Sequence, residues 1–356
     1  MKRGPLDHPL LIVVGSGGVG KTTLAAALGI MSATHGTNTL VMTFDPSHRL
    51  KDALGVGEQA RDREVPVPLD APARLDVSLL DAGATFDRLV RRHAPDEAAA
   101  ERILKNRFYA HLAGSLAGIL EYMAVERLFE VAERKAYDRV ILDTPPTRQA
   151  LDFLEAPDRI VSFLDSGALK IAARNWFDDK GRLRTAGMRV VGKGIEALLD
   201  RAVGLGLVWE MSEFFQAFGP LFAGFRARAL ATRALLKKPS TRFILVTAPG
   251  EDRTADTLFF ARRLVEAGHH LGPIVVNQVH PEVPEVPAPA GLAEGLALLR
   301  HLGARDRRGV EALRDLLGPR QLPLALPLLA AHPTDLPGLA ALGALARDRL
   351  YRTATS

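Results

Sequence analysis

Apolar positions fall into short solid runs separated by longer stretches of helical spacing, and that alternation predicts a wound α/β fold. Leu10-Leu11-Ile12-Val13-Val14 is unbroken and rich in β-branched side chains, the pattern of a strand buried on both faces. A glycine-rich stretch follows, then a helical pattern from about Thr22 to His35 that closes at Gly36. Thr39 to Phe44 predicts the next strand, with Asp45-Pro46 at its end. Val65 to Ala73 is proline-rich and reads as loop, and Leu75, Val77 and Leu79 alternate in a strand over Arg74 to Leu80. Ala84 to Lys135 is mostly helical in pattern, and Arg139 to Leu142 is a short buried strand running straight into Asp143. A second helical block spans about Asp158 to Leu236, interrupted near Asp178 to Gly187. Phe243 to Thr247 and Ile274 to Asn277 predict two further strands flanking a helix over Thr254 to Ala267. A proline-rich loop, His280 to Pro289, then leads to a helical tail broken at Leu322 to Pro327.

Strand–helix alternation with solid apolar strands implies a doubly wound, mainly parallel sheet. There is no internal repeat, so the expectation is one domain over residues 1–356, with a helical insertion at about 158–236. Composition narrows the class. Of 356 residues, 47% are hydrophobic and 24% charged, as in a folded soluble protein. The pI is about 9.6, yet the net charge is only +5. Basic pairs such as Arg91-Arg92 and Lys237-Lys238 read as solvated faces, so nucleic-acid binding is not expected. The apolar runs Leu10 to Val14 and Leu322 to Ala331 fall far short of the roughly 20 residues of a membrane span. With no secretory signal in view, a cytoplasmic protein is expected, at most peripheral to a membrane. No cysteine is present, which excludes disulfides, thiolate zinc sites, cysteine-held iron–sulfur clusters and thiol-based metalloid binding.

The chemistry concentrates after the first strand. Gly15-Ser16-Gly17-Gly18-Val19-Gly20-Lys21-Thr22 follows a strand and opens a helix, the setting a phosphate-binding loop requires. Its glycines let the backbone turn its N–H groups toward phosphate oxygens, and the helix N-terminus favours an anion. In that reading Lys21 bridges the β- and γ-phosphates, the Thr22 hydroxyl ligates Mg²⁺ and Thr23 bonds the α-phosphate. Two aspartates fall at strand C-termini, where open α/β sheets bind ligands. Asp143 suits the acid that holds the magnesium through its water shell, and Asp45 can orient or deprotonate attacking water. Each could instead cap a turn or helix.

Taken in order, these residues resemble the family of the arsenite-pump ATPase ArsA and the tail-anchored-protein targeting ATPases, within the MinD-like deviant P-loop ATPases. Asp45-Pro46-Ser47-His48-Arg49-Leu50 is similar to the family's first switch, and Asp143-Thr144-Pro145-Pro146-Thr147 to its second. Val276-Asn277-Gln278 resembles the segment whose asparagine reads adenine, and Leu326-Pro327-Leu328-Leu329 the proline loop along the base. The resemblance runs from about Leu10 to Leu345. It implies a dimeric ATPase that closes around Mg²⁺–ATP and opens after hydrolysis, with Asp45 catalytic, Asp143 on the magnesium side and Asn277 at adenine. A glutamate in the family's VTxPE segment also contacts nucleotide. Here Val246-Thr247-Ala248-Pro249-Gly250-Glu251 displaces Glu251 by one position, which puts that role in doubt.

One departure bears on mechanism. The family's loop reads GKGGVGKT, and its extra lysine reaches the partner's nucleotide; here that position is Ser16. A serine supplies no charge, and contacts of the arginine-finger kind are worth roughly 10³-fold or more in rate. A homodimer should therefore turn over slowly unless Arg49 or Arg148 substitutes, and a heterodimer with a lysine-bearing paralogue is the alternative. Without cysteines, a zinc-clamped dimer and the iron–sulfur branch are excluded, and the targeting reading stands without zinc. In the insertion, Trp209, Met211, Phe214, Phe215, Phe218, Phe222 and Phe225 recur near helical spacing, with Pro220 among them. The resemblance implies a groove for a client's transmembrane helix. Packing on the main domain or across a dimer would produce the same stripe. Two other classes remain open on the sequence: a weakly catalytic regulatory switch, and a small-molecule kinase using the same loop.

Overall fold

In the computed structural model, the residues described are 4, 6–43, 49–57, 60–106, 119–145, 147–165, 221–285, 292–318, 321 and 323–352. In chain order they form β1 (Leu10–Gly15), α1 (Lys21–Thr34), β2 (Thr39–Thr43), α2 (Arg49–Leu54), β3 (Val65–Pro66) and β4 (Leu75–Leu79). Then come α3 (Ala82–His93), α4 (Glu97–Lys105), α5 (Ile119–Arg134), β5 (Arg139–Asp143), α6 (Thr147–Asp165) and α7 (Phe222–Leu236). The chain continues with β6 (Thr241–Thr247), α8 (Glu251–Glu266), β7 (Leu271–Val279), α9 (Ala293–Leu317), β8 (Pro323–Pro327) and α10 (Leu336–Arg352).

The described chain divides into two compact units. The first comprises residues 1–80, 130–151 and 235–356, and the second 81–129 and 152–234. The first unit holds one eight-stranded sheet in the order β3-β4-β2-β5-β1-β6-β7-β8. Every neighbouring pair is parallel except β3 with β4. The chain leaves β1 for β2 and later returns to place β5 and β6 on either side of β1. The strand order therefore reverses at β1, the point where such sheets bind ligands beyond their C-terminal ends. Register aligns those ends: Asp143 lies opposite both Val13 and Thr43, and Gly15 lies opposite Val246.

Apolar strands and an all-round apolar α1 build the core. Leu24 to Ala33 are buried throughout, as expected of a helix enclosed on every side. Leu11, Val13, Val41, Val77, Ile141, Val246 and Val275 from the sheet pack with α1 and with Leu339, Leu342, Ala346 and Leu350 of α10. Burial of this kind is worth about 25 cal/mol per Å² of apolar surface and fixes the sheet's C-terminal edge in place.

The second unit is helical. Aspartates start two of its helices: Asp81 accepts from the Ala84 N–H at 3.0 Å and Asp96 from the Ala99 N–H at 2.7 Å. Its core joins Phe86, Leu89 and Val90 of α3, Ile103 of α4, Tyr122 of α5 and Leu164 of α6 with Leu221, Phe225 and Ala229. Inside the unit, Arg228 Nε donates to the buried Glu126 at 2.7 Å and the guanidinium lies 4.5 Å from the Phe129 ring centre.

Three local expectations change. Leu322 to Pro327, read as a break in the helical tail, contributes β8, paired parallel to β7 from Pro323 opposite Ile274 to Pro327 opposite Val279. Prolines cannot donate to a ladder, and β8 accommodates them because it is the sheet's edge strand. Within the proline-rich loop, Val65 and Pro66 pair with β4 at the opposite edge. The helix expected from about Asp158 begins at Thr147 and runs through Pro157, held by the buried side chains of Ala150, Phe153, Leu154 and Ala156.

Candidate phosphate-loop site

The site is assembled at the C-terminal edge of β1, β2, β5 and β7. β1 ends at Gly15, whose φ is +154°; a Cβ there would lie 2.0 Å from the Val246 carbonyl oxygen, so only glycine allows β6 to run this close. Ser16 is half-buried, Gly17 and Gly18 are exposed, and the buried Val19 pins the loop to the core. Gly20 is the left-handed N-cap of α1 and brings no side-chain cap to the helix. The first i→i−4 bond of the helix runs from Leu24 N–H to Gly20 C=O at 2.9 Å. The amides of Thr22 and Thr23 therefore precede the helical ladder and have no intrahelical acceptor.

Lys21 is buried, and its Nζ donates to the Ser16 carbonyl at 2.9 Å, which draws the ammonium back across the loop. Next to it, strands distant in sequence converge. The Thr22 hydroxyl donates to Asp143 Oδ2 at 2.6 Å, and the Thr43 hydroxyl donates to the same oxygen at 2.8 Å. Asp143 is 1% exposed. Thr144, the next residue, donates through its hydroxyl to the Val13 carbonyl at 2.8 Å and so ties the exit of β5 to β1. On the far side of the loop, Asn277 Nδ2 donates to the Val19 carbonyl at 2.9 Å. A Cβ on Gly20 would sit 2.5 Å from that nitrogen, so the loop glycine also makes room for the asparagine.

The expected loop residues Gly15 to Thr23, Asp143 and Asn277 are thus brought to one place. Asp45 lies outside the described residues, as do Trp209, Met211, Phe214, Phe215, Phe218 and Pro220. Arg49, Arg148, Phe222 and Glu251 belong to the first turns of α2, α6, α7 and α8, and their side chains likewise lie outside the described set. Phe225, the last aromatic of the stripe, is 3% exposed and packs in the core of the helical unit, 6.1 Å from the Phe86 ring and 5.9 Å from the His93 ring.

Sequence reasoning missed Thr43 and the asparagine's partner. Thr43 carried a usable signal, since a hydroxyl at the end of a fully buried strand must find an acceptor. The Asn277–Val19 bond spans 258 positions and has no sequence signature.

The ArsA ATPase family model, described as anion-transporting ATPase, matches residues 8–189. An uncharacterised protein of Streptomyces coelicolor is 27% identical over 335 residues, covering 89% of this chain and 78% of that protein. ATPase get3 of Aspergillus terreus is 31% identical over 150 residues, 41% of this chain and 42% of that protein. ATPase ARSA2 of Chlamydomonas reinhardtii is 29% identical over 167 residues, 46% of this chain and 41% of that protein. The chain therefore spans less than half the length of these two ATPases.

Proposed function

This chain belongs to the ArsA family of ATPases, and on that footing we propose that it binds Mg²⁺–ATP in the loop Gly15 to Thr23 and hydrolyses it. The observation that carries the reading is the meeting of Thr22 and Asp143 at 2.6 Å, beside Lys21 and at the N-terminus of α1. The residues fit the ligand. A Cβ on Gly18 would meet nothing within 4 Å, so the loop is open there. The start of α1 has no side-chain cap and no acidic residue in its first turn, which suits a polyphosphate. A hydroxyl and a carboxylate side by side are the oxygen donors that magnesium prefers.

In this reading Lys21 holds the β- and γ-phosphates, Thr22 ligates the metal, and Asp143 holds the metal's water shell. Thr23 bonds the α-phosphate and Asn277 contacts adenine. Bound magnesium would neutralise charge developing on the transferred phosphoryl group. Asp45, five residues short of the end of the first switch, orients the attacking water. The resemblance supports a cytoplasmic protein whose two subunits close on ATP, coupling hydrolysis to the handling or targeting of a hydrophobic protein client. Among the described residues no helix is long and apolar enough to cross a membrane.

Ser16 favours a second reading: a weakly catalytic, nucleotide-dependent regulatory subunit that pairs with a lysine-bearing paralogue. Its side chain is uncharged, and its carbonyl is occupied by the chain's own Lys21. Phosphate release by the purified chain separates the two. ATP turnover that disappears in Asp45→Asn supports the enzyme. Tight ATP binding with negligible turnover, restored by adding a GKGGVGKT paralogue, supports the regulatory subunit. Failure to bind ATP contradicts both.

A further inference from the structure

The segment that carries Asn277 is held by a contact belonging to none of the nucleotide motifs. Asp306 lies in the middle of α9 and is fully buried. A carboxylate in that position is costly unless every oxygen is bonded, and here both are. Its Oδ2 accepts from the His280 N–H at 3.0 Å and from the His280 ring Nδ1 at 2.7 Å. Its Oδ1 accepts from Arg305 Nε at 3.1 Å and Nη2 at 2.8 Å. Burial pushes the Asp306 carboxyl up, but the bonds from His280 and Arg305 outweigh it and leave it below the ordinary carboxylate range.

His280 stands three residues past Asn277, and the backbone between them is strained. Gln278 has φ +62°, a left-handed conformation that is unfavourable for a residue with a side chain. The β7–β8 register shifts there, between Val276 and Val279. Strain of this kind persists only where the surroundings over-determine it. One restraint is the edge ladder, with the Leu328 N–H donating to the Val279 carbonyl at 2.8 Å. The other is the pair of hydrogen bonds from His280 to Asp306. The kink begins at the residue immediately after Asn277. One of the two Nδ2 N–H groups bonds the Val19 carbonyl, and the amide cannot turn over to exchange Oδ1 for a donor without losing that bond. An acceptor matches the 6-amino group of adenine and repels the 6-oxo group of guanine or hypoxanthine.

We propose that Asp306 and His280 form a clasp that positions Asn277 and so sets the chain's discrimination between 6-amino and 6-oxo purine nucleotides. His280 and Asp306 are positioning residues in this scheme, acting through Asn277. The inference rests on the adenine-contact reading of Asn277 given above.

The test is the ratio of ATP to ITP affinity, two nucleotides that differ at C6 and in the proton on N1, measured with Mg²⁺ on the purified full chain. Variants are His280→Ala, His280→Asn and Asn277→Ala. His280 has a side chain 22% exposed, so its truncation spares the core. Asn places an N–H where the imidazole Nδ1–H stood and should rescue. The expected result is a wild-type preference for ATP of about tenfold or more, the worth of one well-placed hydrogen bond. His280→Ala should reduce the ratio by at least about threefold, His280→Asn should restore it, and Asn277→Ala should abolish it. A purely structural role for His280 would weaken both nucleotides alike and leave the ratio unchanged. An unchanged ratio in His280→Ala with a changed one in Asn277→Ala overturns the clasp alone. A ratio unchanged in both, or a wild type without preference, overturns the base-contact reading and the clasp with it.

Discussion

Replacing Gly20 with alanine tests the packing of the phosphate loop on β7. Two costs are expected. At φ +86° an alanine is held in the left-handed region, at roughly 1–2 kcal/mol. Its Cβ would also stand 2.5 Å from Asn277 Nδ2, closer than real contacts allow, so the asparagine must leave the Val19 carbonyl. Losing that buried hydrogen bond costs about 1 kcal/mol, and the displaced side chain adds about 1 kcal/mol of overpacking. Gly36 supplies the control. Its φ is +80°, and an added Cβ would meet nothing within 4 Å, so Gly36→Ala carries the backbone cost alone. Any gain from a stiffer unfolded chain is common to both and cancels. Urea denaturation followed by circular dichroism should therefore place Gly20→Ala about 2 kcal/mol below Gly36→Ala at equal m-value. Because Asn277→Ala removes the colliding atom, the Gly20→Ala, Asn277→Ala double variant should lose about 1–2 kcal/mol less than the sum of the singles. Equal stability of the two glycine variants, or strict additivity in the double variant, would refute this account of the loop.

Two further predictions concern the helical unit. Phe225→Ala should cost about 3–5 kcal/mol in unfolding free energy, because the ring is 3% exposed in the core; a cost under about 1 kcal/mol would mark it as a surface residue. For His93, burial lowers the imidazole pKa below its ordinary 6.5, with help from the nearby Arg228 and Arg92 charges. The unfolded chain then takes up a proton that the folded one refuses. Stability should fall as the pH drops below about 6.5 and keep falling until the lowered folded pKa is reached. Comparing unfolding midpoints at about pH 7.5 and about pH 5.5, His93→Gln should show a smaller drop than wild type; an equal drop would remove His93 from the effect.

The nucleotide loop was legible in the sequence because its chemistry depends on fixed local spacing between a strand and a helix. The buried strands were legible because parallel sheets covered on both faces need solid apolar runs, as in Leu10 to Val14. β8 escaped because prolines at both of its ends mimic a loop, a composition only an edge strand tolerates. The helix α6 escaped at its start because Pro157 resembles a boundary, and the packing of Phe153 and Leu154 overrides it. The second unit takes in residues 81–129 as well as 152–234, and such an assembly depends on which helices share a core rather than on sequence adjacency. Thr43 and Asp306 illustrate the same limit at the site. Each is one polar residue inside an ordinary element, given meaning by a partner 100 positions away in the first case and 26 in the second.

Equilibrium titration of ATP into the purified chain, with magnesium and with magnesium chelated, tests the central claim most directly when run beside Lys21→Ala. The account predicts saturable binding that weakens without magnesium and falls by about 100-fold or more in the variant, as expected when a charge-assisted phosphate contact is lost. Binding of equal strength in both proteins, indifferent to magnesium, would contradict it.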